Sequence, residues 1–288
     1  RIDRHIKSPL YSSEFWWFVG LFLGDGWVDS NRNKITISCN IKEEEITNRL
    51  YKLINQLFNR SASKRVRNNC VEISFSCKQL SYFLNNHFKK YALGKSIPDW
   101  AKKIDVDSKQ QLVQGYLDSD GCITYDKKRD LYGLDFVSIN LALLEDIQDV
   151  LFSLGHVSGI NILRKESVHD ISGKISKTKE TYQLRVGHHH TISLLKEIIS
   201  TTSYKMKKVD LNKTNKNQKR NRKGCFISND KKYIYFQIKD IEKSSYSGWV
   251  YNFECDTHTY MCKNIPTHNC DPYRQGQSKY SDSLGSVY

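Results

Sequence analysis

Two copies of one short stretch constrain this chain more than anything else in it. The first is Phe18-Val19-Gly20-Leu21-Phe22-Leu23-Gly24-Asp25-Gly26, the second Val113-Gln114-Gly115-Tyr116-Leu117-Asp118-Ser119-Asp120-Gly121. Each is a run of helical character with a glycine in third place, closing on Asp-Gly, and the closing acids stand 95 residues apart (120 − 25). Glycine inside a helix is unfavourable by about 1 kcal/mol relative to alanine, and close approach of another backbone is a good reason to accept it. Two such helices packed glycine to glycine would leave one carboxylate from each at the foot of their interface. Gly26 and Gly121 would then end the helices as C-caps. That geometry predicts a paired-acid metal site on a pseudo-two-fold axis.

The segments around the two stretches repeat as well. A helix is expected from Ser12 or Ser13 through the first stretch, then a turn at Asp29–Asn33. Lys34–Ile41 alternates apolar and polar, as a half-buried strand does. An amphipathic helix over Lys42–Phe58, strands at Ser63–Arg67 and Val71–Cys77 and a helix over Lys78–Tyr91 follow. The second half gives a helix at Lys109–Leu117, strands at Cys122–Tyr125 and Leu134–Ile139, and a helix from the N-cap Asn140 to Leu154. Strands Ile160–Lys165 and Thr181–Val186, joined by a polar loop, and a helix at Thr191–Ser200 complete it. Ser38-Cys39-Asn40 and Ser138-Ile139-Asn140 occupy the same strand-to-helix junction. The plan is αββαββα twice, an α+β tandem repeat.

The two stretches resemble the LAGLIDADG motifs of homing endonucleases. Gly20, Asp25 and Gly26 match in one, and Gly115, Asp118, Asp120 and Gly121 in the other; Leu23 departs, where the family name has Asp. The resemblance implies a saddle of two four-stranded sheets lying along double-stranded DNA, with a long asymmetric site cut on both strands. It implies that the eighth-position acids, Asp25 and Asp120, carry metal, and that one chain acts as a monomeric two-repeat enzyme. Gly94-Lys95-Ser96-Ile97-Pro98 resembles the Lys-x-Ile-Pro element of intein-embedded members, which makes Lys95 the candidate basic residue of the site. Lys205, Lys207 and Lys208 are the options for its second copy. Two unrelated buried helices with capping Asp-Gly turns, and a surface Lys95 before a helix start, are the plainer alternatives.

Charge and chemistry agree with a polyanionic partner. The formal net charge is +14, spread along all 288 residues, and aromatics at 12% speak for a folded chain. Phosphodiester hydrolysis needs an activated water, a stabilised phosphorane and a handled leaving group. Two facing carboxylates suit Mg²⁺, a hard ion that keeps its waters. Eight cysteines in a chain this long make no dense disulfide framework, and no run reaches membrane-spanning length. A reducing, cytoplasmic setting, in a bacterial or phage-infected cell, is the expectation.

The tail carries different chemistry. Trp249–Cys255 and Ile265-Pro266-Thr267-His268-Asn269-Cys270 resemble the C-terminal splicing blocks of an intein, with Asn252 and Ile265 as departures. That resemblance implies that Asn269 cyclises to a succinimide, His268 polarises the scissile carbonyl, Cys270 accepts the upstream chain, and His258 assists. No N-terminal splicing block precedes the first repeat, so a separate N-terminal intein half is the implied partner. The chain opens on Arg1 and is expected to be a piece of something longer. Cys255, His258, Cys262, His268 and Cys270 also allow a zinc knuckle, although their spacing is not a standard one.

The expected organisation is a connector at 1–11 and an endonuclease domain at 12–210, with repeats about 12–104 and 105–210. A basic linker (211–224), a β-rich splicing segment of Hint type (225–269) and a downstream extein (270–288) follow. The linker region Lys205–Lys223 holds nine Lys or Arg against one acid, Asp210. The residues from Asp271 resemble the start of the nuclease domain of a phage terminase large subunit, the implied host protein. The alternatives are a freestanding or intron-encoded endonuclease or maturase, and a DNA-binding regulator that keeps the fold without cutting.

Overall fold

Helix α1 (Ser13–Asp25) has no polar face: every residue from Phe15 to Leu23 is buried. A helix apolar all round belongs inside a core, and its five large aromatics each stabilise the fold by about 1.5–3 kcal/mol on burial. Phe15, Trp16 and Phe18 wrap the helix in edge-on ring contacts with Phe58, Phe75, Phe83, Phe88 and Trp100. Residues 8–171, 174–198, 204–206 and 209–211 are described by this computed structural model, together with short stretches further on (225–227, 234–236, 240–245, 247–249, 259–262 and 265–268). Two compact units divide the chain, Arg1–Arg220 and Asn221–Tyr288.

In the first repeat, α1 leads into β1 (Gly26–Asp29), β2 (Lys34–Asn40), α2 (Glu44–Phe58), β3 (Ser63–Arg67), β4 (Cys70–Ser76) and α3 (Lys78–His87). The strands form an antiparallel sheet in the order β1-β2-β4-β3. The second repeat runs α4 (Val106–Asp120), β5 (Gly121–Asp126), β6 (Leu131–Ser138), α5 (Leu141–Ser153), β7 (Ser158–Arg164), β8 (Ser167–Ile171), β9 (Lys174–Thr178), β10 (Thr181–Val186) and α6 (His188–Ile198). Its main sheet, β5-β6-β10-β7, repeats the first with the same strand sense. The fold is therefore mixed α and β with antiparallel sheets. Ile35, Ile37, Val71, Ile73 and Phe75 in one sheet, and Leu134, Phe136, Leu184 and Val186 in the other, face the helices; the alternate residues form the opposite, open face, on which Thr36, Ser74 and Asp135 are nevertheless buried.

Several sequence expectations are corrected. Strand β1 is too short to show an alternation. Helix α4 starts three residues early because the Asp105 side chain accepts a hydrogen bond from the Ser108 amide at 2.9 Å. The polar loop between β7 and β10 is a hairpin, β8 paired with β9 from Ser167↔Thr178 to Ile171↔Lys174. Neither Gly26 (φ −98°) nor Gly121 (φ −76°) is left-handed, so neither is an αL cap. They are glycines because an added Cβ would lie 2.5 Å from Phe22 Cδ2 and 2.4 Å from Leu117 Cδ1 respectively. With Gly26 opposite Ile37 and Gly121 opposite Phe136, Asn40 matches Ile139; the Asn40–Asn140 equivalence is out by one residue.

The second unit contains β11 (Cys225–Ile227) paired with β12 (Ile234–Phe236), and β13 (Thr259–Cys262) paired with β14 (Ile265–His268). Gly248 and Trp249 are irregular, and residues 250–255 of the segment that resembles a splicing block lie outside the described residues. No described helix is long and apolar enough to cross a membrane.

The packing makes a prediction. A Cβ at Gly115 would lie 2.0 Å from the Trp17 carbonyl oxygen, whereas one at Gly159 meets nothing within 4 Å. Gly115→Ala is expected to lower stability by about 2 kcal/mol or more, and Gly159→Ala to stay within about 0.5 kcal/mol of the parent. Urea unfolding midpoints measure both; equal small shifts would contradict the backbone contact.

Candidate active site

The paired stretches meet as the C-terminal halves of α1 and α4. A Cβ on Gly20 would sit 2.2 Å from the Leu112 carbonyl oxygen and 2.8 Å from Gly115 Cα. Lower down, Gly24 faces Ser119: a Cβ there would lie 2.1 Å from Ser119 Oγ and 3.3 Å from the carboxyl carbon of Asp120. Asp25 and Asp120 are the last residues of the two helices and emerge side by side at the foot of the interface.

Both carboxylates reach solvent, yet both are crowded by protein. Burial pushes Asp25 above the ordinary carboxylate range, with the Lys205 and Lys95 charges pulling it back. Burial pushes Asp120 up to about 6, the Asp25 charge adds to the rise, and Lys95 and Lys205 oppose it. The Asp25 charge thus adds to the disadvantage of the charged form of Asp120.

Each helix foot is closed by a lysine from the end of its own repeat. Lys95, buried, donates from Nζ to the carbonyls of Phe22 (2.8 Å), Gly24 (3.1 Å) and Gly26 (2.8 Å). Lys205 donates from Nζ to Leu117 (2.9 Å), Asp118 (2.9 Å) and Ser119 (2.8 Å). The last carbonyls of a helix lack intrahelical partners and carry its negative dipole end, so an ammonium satisfies both needs. Burial lowers Lys95 to about 8, while the Asp120 and Asp25 charges pull the other way.

Three N–H groups spent on three carbonyls leave Lys95 none for water or phosphate. Lys95, the candidate basic residue of the site, therefore stands at the foot of α1 beside the two acids. Of the three options for the second copy, Lys205 stands in the matching place; Lys207 and Lys208 lie outside the described residues. The lysine-to-acid spacing differs by 15 residues between repeats (205 − 120 against 95 − 25), and the β8–β9 hairpin accounts for most of that.

The loop carrying Lys95 is tied to the second repeat. Asn140 caps α5 through Leu143 N (3.1 Å) and donates from Nδ2 to the carbonyls of Ala92 and Lys95, both at 2.8 Å. The Ile97 amide donates to Asp146 (2.7 Å), and Lys102 bridges Asp146 (2.6 Å) and Asp149 (3.0 Å). Asp118 lies outside the acid pair: it is 2% exposed and accepts from Trp17 Nε1 at 2.8 Å across the helix interface. Arg49 stacks on Trp17 (4.0 Å to the ring centre) and pairs with Glu14 (2.7 Å) and Gln111 (2.6 Å). Sequence reasoning missed this network because its partners lie 32 to 101 residues apart. His258, Asn269 and Cys270 lie outside the described residues; His268 is the last residue of β14, opposite Thr259.

Two hard oxygen donors, each disfavoured in its charged form and with the nearest ammonium groups engaged elsewhere, fit a divalent cation. Among the described residues no cluster of three or more His, Cys, Asp or Glu forms a metal site, here or elsewhere. Two carboxylates leave the remaining positions of such a cation to water and a bound anion.

A pH effect follows from the raised acid. Asp120 titrates higher in the folded chain than in the unfolded one, so the stability it contributes is complete below about pH 4 and lost as pH rises through about 6. After solvent screening this is on the order of 1 kcal/mol, roughly 2–4 °C. In EDTA, Asp120→Asn is expected to raise the melting temperature relative to the parent at pH 7.5 and not at pH 4. A difference independent of pH would contradict the crowding of the two acids.

Among curated proteins, the chain is 22% identical over 276 residues to a DNA polymerase of Thermococcus litoralis, covering 94% of this chain and 15% of that protein. It is 22% identical over 298 residues to the ribonucleoside-diphosphate reductase NrdEB subunit alpha of Bacillus subtilis (96% and 27%). It is 24% identical over 259 residues to the ATP-dependent DNA helicase Hel308 of Thermococcus kodakarensis (87% and 21%). The chain therefore spans between 15% and 27% of the length of these relatives. Among solved structures, the homing endonuclease I-DmoI in complex with DNA and Ca is similar at TM-score 0.47 and 17% identity, over 66% of this chain and 91% of that one. Full-length DUF199/WhiA from Thermatoga maritima is similar at TM-score 0.45 and 16% identity, over 68% and 59%. The second repeat, residues 107–203, matches the LAGLIDADG-like domain family.

Proposed function

We propose that the Arg1–Arg220 unit is a DNA endonuclease that hydrolyses phosphodiester bonds on both strands of an asymmetric site. The observation that carries this is the convergence of Asp25 and Asp120 at a glycine-packed helix interface whose two feet are each closed by a lysine. The LAGLIDADG-like match over the second repeat supports it. So does the open face of the first sheet, which carries Lys34, Arg65 and Arg67.

Asp25 and Asp120 would hold Mg²⁺, which when bound supplies a polarised water and positive charge against the phosphate. The chain's own residues do the rest. Gly20, Gly24 and Gly115 set the separation of the two acids. Lys95 and Lys205 fix the helix ends that carry them and place positive charge beside the reacting phosphate without touching it. Asn140 and Asp146 hold the Lys95 loop. Asp25→Asn and Asp120→Asn are each expected to lower cleavage of a randomised-site plasmid library by about a thousandfold or more while duplex binding survives. Undiminished nicking by either variant would sink the metal assignment.

The second part of the reading concerns the tail. A segment covering most of this chain recurs in a polymerase, a reductase and a helicase, as a minor part of each. Recurrence in enzymes of unrelated chemistry supports an insert that travels independently of its host. The His268-Asn269-Cys270 sequence, with β14 hydrogen-bonded to β13, supports an intein splicing junction, Asn269 cyclising and Cys270 receiving the upstream chain. Mass spectrometry of the purified chain with a synthetic N-terminal splicing half, beside an Asn269→Ala control, is expected to show release of residues 270–288 in the parent only. Intact masses in both would contradict the splicing reading and leave the endonuclease untouched.

A further inference from the structure

The two sheets are built to one register, so residues at matched positions of their open faces can be compared directly. Counting one step on from Gly26 and Gly121, the first sheet carries the row Trp27, Thr36, Ser74, Ser63 and the second the row Cys122, Asp135, Arg185, Gly159. At the two central positions the repeats differ in kind. Thr36 Oγ1 and Ser74 Oγ hydrogen-bond each other at 3.0 Å, and both residues are buried. That pair is closed on itself.

In the second sheet Asp135 is buried, and its carboxylate accepts two bonds from one edge of the Arg185 guanidinium, Nε at 2.7 Å and Nη2 at 3.0 Å. The Arg185 side chain is 49% exposed against 5% for Asp135. A guanidinium held along one edge presents the other edge in a fixed plane. Nothing covers it from the next strand: the neighbour is Gly159, where even an added Cβ would meet no atom within 4 Å. The pair is net neutral, so it adds little to sequence-independent attraction by phosphates. Its use is directional: a rigid planar donor fork matched to two acceptors side by side. The major-groove edge of guanine, O6 with N7, is that pattern.

We propose that Arg185, braced by Asp135, is a specificity-determining residue that reads a guanine in the half-site bound by the second sheet, with no counterpart in the first. This rests on the open sheet faces being the DNA-binding faces. The two half-sites then differ at the matched position because one sheet offers a fork and the other a closed hydroxyl pair.

The experiment is selection of bound duplexes from a randomised 30-bp library in EDTA, for the parent, Arg185→Ala, Arg185→Lys and Thr36→Ala. The parent is expected to enrich guanine at one position of one half-site. Both Arg185 variants are expected to lose that enrichment alone, with about a tenfold drop on the parent's own consensus. Thr36→Ala is expected to keep it. Uniform weakening of every sequence by Arg185→Ala, with the salt slope reduced by about one and the consensus unchanged, would make Arg185 a phosphate contact and overturn the proposal. A parent chain that retains no duplex would overturn the reading of the sheet faces, and the proposal with it.

Discussion

The approach of the α1 backbone to the α4 backbone at Gly20 and Gly115 is the contact on which the rest depends. Side chains at these positions would need space that the Leu112 and Trp17 carbonyls occupy. With the helices this close, their last residues fall together, and the carboxylates of Asp25 and Asp120 share one crowded place. With the helices a methyl group further apart, the same two acids would be separate, ordinary C-terminal residues. Burial of nearly the whole of α1 supplies the cohesion that holds the contact shut.

Bringing two helix C-termini together with two acids collects negative charge and unsatisfied carbonyls in one spot. Lys95 and Lys205 answer both, each by three hydrogen bonds at the foot of its own repeat's helix. The charge compensation comes from groups that do not pair with the acids, so the carboxylates are left raised and available to a cation. The Asn140 bonds to the Lys95 loop make the first repeat's foot depend on the second repeat, which couples the two halves at the site itself.

Much of this is legible in the residues. The doubled Gly and Asp-Gly positions carry the interface and the acid pair, and the alternation of Lys34–Asn40 with the run Glu44–Phe58 carries the repeat plan. What was not legible depends on distance or on sterics. Lys205 could not be separated from Lys207 and Lys208 by composition; what marks it is its bonds to three carbonyls at the end of α4, more than eighty residues earlier. The glycines after the acids look like left-handed caps by type but are extended, selected by the Phe22 and Leu117 side chains behind them. Pairing of β8 with β9 was hidden in a polar segment without strict alternation. The Asp135–Arg185 pair is invisible until the register of β6 and β10 is known.

The most direct test of the shared acid site is carbon-13 NMR titration of the Asp25 and Asp120 carboxyl groups, with and without Mg²⁺. If the two acids crowd each other, Asp120 titrates near 6 in the metal-free chain, Asp25→Asn lowers that value, and Mg²⁺ perturbs both resonances together. Independent titration of both acids in the ordinary carboxylate range, each indifferent to the other's removal and to Mg²⁺, would contradict it.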